Sequence, residues 1–106
     1  MVIDINLRAA PATVRLVEPD DFEAFMVIAR APATECKHLE SAVERFGRVT
    51  TDGHVFVDAT AVKALAGERA TEPRWLASLD GMLEYAAAHG WIDDAGAIRA
   101  HVEWSA

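Results

Sequence analysis

A single cysteine, Cys36, is all the sulfhydryl chemistry this chain has, and no apolar run approaches the 18 or more residues a membrane span needs. An intrachain disulfide is excluded, and so is a zinc site built on paired cysteines. No CxxC, HExxH, GxSxG or glycine-rich phosphate loop occurs. Basic residues are also few, with Lys plus Arg numbering 10 against 17 Asp plus Glu for a net charge of −7. They are scattered among acidic neighbours, so no basic patch offsets the repulsion from phosphate backbones or anionic lipid. The opening MVIDINLRAA lacks the basic and apolar regions of a secretion signal. The expectation is a cytoplasmic protein that binds neither nucleic acid nor membrane.

What is present is a globular composition: 52 % hydrophobic and 25 % charged over 106 residues. A chain of this length makes one domain, residues 1–106, burying roughly 60–70 % of its unfolded surface.

Residues 2–8 alternate, with Ile3, Ile5 and Leu7 opposite Asp4, Asn6 and Arg8, and Val14 and Leu16 repeat the pattern after Pro11, which predicts an N-terminal hairpin. Pro19-Asp20-Asp21 resembles a helix start, and Phe22, Phe25, Met26 and Ala29 then share a helical face. The same FMVI stretch suits a buried strand, but helix is the expectation. Thr34 can cap a helix carrying Cys36, Leu39, Val43 and Phe46, with Gly47 as a left-handed stop, while His38, Ser41 and Arg45 face water. Asp52-Gly53 predicts a hairpin turn around Val49 and residues 54–57, and Asp58 caps a helix over 59–66 closed by Gly67. The longest helix runs from Thr71-Glu72-Pro73 to about His89, on a stripe of Trp75, Leu79, Met82, Leu83 and Ala86, and Gly90 ends it. Gly81 inside it implies a close contact or a local break. Trp91-Ile92, a turn at 93–96 and a strand over 97–104 form a terminal hairpin. The expected fold is α+β: a small single domain of short antiparallel hairpins packed against about four helices.

At an offset of 43, residues 47–55 align with 90–98, matching Gly47 to Gly90 and Gly53 to Gly96. Convergence is the expected reading, because helix stops and hairpin turns both call for glycine, with duplication of a helix-hairpin unit as the alternative.

Candidate site residues are few. Cys36, on the apolar stripe, reads as a buried, inert thiol and His38 as a solvated side chain. Neither metal nor cofactor is expected. Arg99, His101 and Glu103 share one strand face and are the candidate catalytic row, though a solvated strand face explains them as well. His54 and Asp58 are weaker, Asp58 being accounted for as a helix cap. Trp91 and Trp104, at the two ends of the terminal hairpin, are the candidate interface residues. The helix over 72–89 carries Glu72, Arg74, Asp80 and Glu84, a net negative face unsuited to reading DNA. With no catalytic constellation, the expected function is that of a protein-interaction or homo-oligomeric accessory module rather than an enzyme. The alternative is a small-molecule-binding or enzymatic domain in which Arg99, His101 and Glu103 line a cleft and His101 acts as acid and base.

Overall fold

The computed structural model describes residues 1–106. Strands β1 (Val2–Asn6) and β2 (Thr13–Val17) form the expected N-terminal hairpin, with Ile3 and Ile5 fully buried. The next segment departs from expectation. Met26–Arg30 is a strand, β3, lying parallel to β1 on one side and parallel to β6 (Ala97–Trp104) on the other. Strands β4 (Gly47–Val49) and β5 (His54–Asp58) make an antiparallel ribbon around Gly53, and β5 pairs antiparallel with β6. The result is one curled six-stranded sheet in the order β2-β1-β3-β6-β5-β4.

Three α-helices accompany it: α1 (Cys36–Val43), α2 (Ala59–Ala66) and α3 (Pro73–Ala88), with short 3-10 turns at Ala33–Glu35 and Gly67–Thr71. The expectation of short antiparallel hairpins against about four helices is therefore corrected to a continuous mixed sheet with three helices. The physical reason lies in β3. A strand with parallel neighbours on both sides reads as an unbroken apolar run, and Met26-Val27-Ile28-Ala29 is such a run. The acidic residues expected to start a helix instead shape the loop before it. Asp21 Oδ1 accepts from Glu23 N–H at 3.1 Å, and the Met1 amine donates to the carbonyls of Asp21 and Ala24 at 2.8 and 2.9 Å.

The concave face of the sheet holds the core, where Ile3, Ile5, Val27, Ala29, Val55, Val57, Ile98, Ala100 and Val102 meet Leu39 and Val43 of α1, Val62 of α2, and Trp75, Leu79, Met82 and Ala86 of α3. Trp75 gives its indole N–H to the Pro19 carbonyl at 2.9 Å, which satisfies the one polar atom it buries. Helix α2 touches both β2 and β5, so it spans the open side of the curl. No helix is long and apolar enough to cross a membrane.

Several local expectations need correction. Cys36 is exposed, because α1 begins at this residue and the buried stripe starts one turn later at Leu39. Thr34 lies in the 3-10 turn and provides no side-chain cap. Gly47 does not take up the left-handed conformation. Its role is close approach, since a Cβ there would lie 1.9 Å from the Phe56 carbonyl oxygen across the β4–β5 ribbon. Gly90, its partner at offset 43, has φ +75°, so the aligned glycines do different work. The terminal hairpin shrinks to a bridge between Ile92 and Ile98, and β6 spends its length between β3 and β5. Gly81 causes no break, and nothing lies within 4 Å of where its Cβ would be.

On the convex face, Asp4 is buried to 4 % exposure and bound by the Arg30 guanidinium through two hydrogen bonds of 2.9 and 2.8 Å, with Arg15 at 3.7 Å. These contacts tie β1, β2 and β3 together. The Arg30 hydrogen bonds hold the Asp4 carboxyl below its ordinary pKa, outweighing the opposing effect of burial. A lowered folded-state pKa stabilises the protein above the unfolded value near 4, and that stability disappears as pH falls through the folded value. Arg30→Met should therefore lower the thermal midpoint by several degrees at pH 7, and the gap to the parent should close as the pH is taken below about 4. Midpoints that differ equally at both pH values would reject this pairing. Gly81→Ala should raise stability by about 0.5–1 kcal/mol in denaturant titration, because the site is open and helical; a destabilised variant would mean that the glycine has a contact to protect.

Candidate functional site

A broad concavity lies where the curled sheet meets its helices. It is lined by Ala61, Ala64 and Leu65 of α2, by Pro11 and Ala12 just before β2 and Val14 within it, and by His38, Ser41, Ala42, Arg45 and Phe46 from α1 and the residues after it. The groove has a volume of about 660 Å³. Small residues make it: alanines at 42, 61 and 64 leave room that leucines would fill.

The polar groups are confined to one wall. His38 and Ser41, three residues apart, share one side of α1, and Arg45 follows in the turn just after the helix. Ser41 donates to the Lys37 carbonyl at 3.3 Å. Arg45 takes part in none of the chain's ion pairs, unlike Arg15, Arg30, Arg48 and Arg69. An apolar trough with an unpaired guanidinium, an imidazole and a hydroxyl along one edge can hold an apolar group and orient a carboxylate beside it.

The candidate row over β6 lies elsewhere. Arg99, His101 and Glu103 are exposed on the convex face, with Phe56 and His54 of β5 opposite Arg99 and His101, and Met26 and Ile28 of β3 opposite His101 and Glu103. They form no ion pair with one another. Of the three, only Arg99 borders one of the two main cavities, a small hollow of about 90 Å³ with Phe22, Phe25, Tyr85 and Trp91. Asp58 stands at the start of α2 without a side-chain cap bond. No three His, Cys, Asp or Glu side chains converge as a metal site.

The two indoles lie at opposite ends of β6. Trp91 is half-buried and stacks on His89 at 4.7 Å between ring centres, and His89 lies 4.2 Å from Tyr85. Tyr85 is the one large hydrophobic side chain clearly in solvent, at 60 % exposure. Trp104 is at the other end of β6, half-buried against the core beside Ala29.

Sequence reasoning assigns His38, Ser41 and Arg45 to water and does not connect them with Pro11, Ala12 and Val14 or with α2. The spacing of 38, 41 and 45 next to the apolar stripe of α1 is the available signal, but the opposite walls come from segments brought together only by the curl. No known family model, curated protein or solved structure matches the chain.

Proposed function

We propose that the chain is a small protein-binding module whose groove between α1, α2 and the start of β2 receives an extended apolar segment carrying an Asp or Glu. The observation behind this reading is the one-sided placement of Arg45 and His38 along an apolar trough in a chain whose overall charge is −7. Charge and shape together select the occupant. The trough is not enclosed, which suits a segment of chain lying across it better than a small molecule that must be surrounded. The unpaired guanidinium supplies the fork that a carboxylate fits.

Selection from a library of displayed peptides tests it. Enriched sequences should pair an aliphatic or aromatic residue with an acidic one, and Ala64→Trp, which adds bulk to the lining, should weaken the winners at least tenfold. Arg45→Glu should weaken the acidic winners by about tenfold, equivalent to about 1.4 kcal/mol. Binding that ignores both substitutions, or capture of short fatty acids in place of peptides, would reject the reading.

Self-association is the second reading, favoured by Tyr85 standing 60 % exposed beside Trp91 and Arg99, the residue types that dominate contact energies. Its occupant is a second copy of the chain. Sedimentation should then show a dimer that Tyr85→Ala shifts to monomer; a monomer in the parent protein contradicts it.

A further inference from the structure

Across the convex face, one row of register brings three metal-ligating side chains onto neighbouring strands. His54 of β5 is paired with His101 of β6, and His101 is paired with Met26 of β3. The two imidazole centres are 6.3 Å apart. With metal–nitrogen bonds of about 2.0 Å, an ion held between two imidazoles leaves their ring centres about 6 Å apart. The observed spacing admits such an ion when the two nitrogens lie on nearly opposite sides of it.

The surroundings of His54 prepare one nitrogen for that role. Its Nδ1 is shut off from solvent and has no aligned hydrogen-bond partner, but Asp52 Oδ1 lies 3.2 Å away. Asp52 is itself fixed by the Thr50 hydroxyl, and Thr50 Oγ1 also accepts from the His54 backbone N–H at 3.0 Å. A carboxylate beside Nδ1 favours the proton there and leaves the lone pair on Nε2, the arrangement found behind histidine metal ligands. His101 is exposed and carries no such restraint.

We propose that His54 and His101, with Met26 as the third member of the row, form a surface site for Cu(I). The choice of ion follows from what the row contains. No third His, Cys, Asp or Glu joins the pair to give Zn²⁺ the four-ligand shell it takes in structural sites. Two imidazoles spaced to share an ion, and a thioether side chain at the same register on the adjoining strand, suit a soft monovalent ion that accepts low coordination. The site is separate from the groove and stands or falls independently of it.

Anaerobic titration of the whole chain with Cu(I), in competition with a chromophoric Cu(I) chelator, is the test. One equivalent should bind, shifting the imidazole proton signals of His54 and His101 and leaving those of His38 and His89 in place. His54→Ala and His101→Ala should each weaken binding at least tenfold, and Met26→Leu by several-fold, with folding checked by circular dichroism. His101 is exposed, so its removal leaves the core intact and isolates the ligand effect. The proposal is overturned if no equivalent binds, if His101→Ala binds as the parent does, or if Zn²⁺ binds as tightly as Cu(I).

Discussion

Parallel pairing of Met26–Arg30 with both β1 and β6 is the contact on which the rest of this structure depends. Without it the chain would hold two separate ribbons, β1–β2 and β4–β5–β6, each with open edges to cover. With it, six strands share one concave face and one core. It also brings Arg30 onto Asp4, and places Met26 beside His101. One five-residue strand thus sets the core, the buried charge pair and the position of Met26 beside His101.

The groove is a consequence of curvature. Because the sheet curls, α2 can touch β2 and β5 together, and α1 then stands across from the start of β2. Where those walls carry Ala42, Ala61 and Ala64, volume is left over. The chain is acidic on average, yet the edge of this volume bears Arg45 and His38, and no carboxylate lines it. Local charge of the opposite sign to the whole molecule gives an approaching segment an orientation, since mean charge governs long-range approach and the unpaired guanidinium governs the final contact.

Elements whose pattern is local are legible in the amino-acid sequence. Alternation over 2–8 and 97–104 places strands with Ile3, Ile5, Ile98 and Val102 inward, and Gly53, Gly67, Gly90 and Gly96 fall at positive φ where turns and helix ends are expected. The β3 segment is not legible in this way. Its short apolar run after Pro19-Asp20-Asp21 satisfies both periodicities, and only distant partners, β1 and β6, decide between them. Gly47 misleads for a related reason, since the carbonyl that demands its missing side chain belongs to Phe56 on the next strand. Cys36 reads as buried because periodicity marks a face of a helix without marking where along that face the core begins. For the groove, the polar residues at 38, 41 and 45 can be written down from sequence, whereas the segments that meet them cannot.

The pairing of β3 can be tested directly by nuclear Overhauser contacts and amide exchange in the labelled chain. Cross-strand contacts between Val27 and Val102, and between Ile3 and Val27, with Val27, Ile28 and Ala29 amides among the slowest to exchange, are what this account requires. Helical contacts between residues three apart over 22–29, with fast exchange at those amides, would contradict it and remove the basis for both proposed sites.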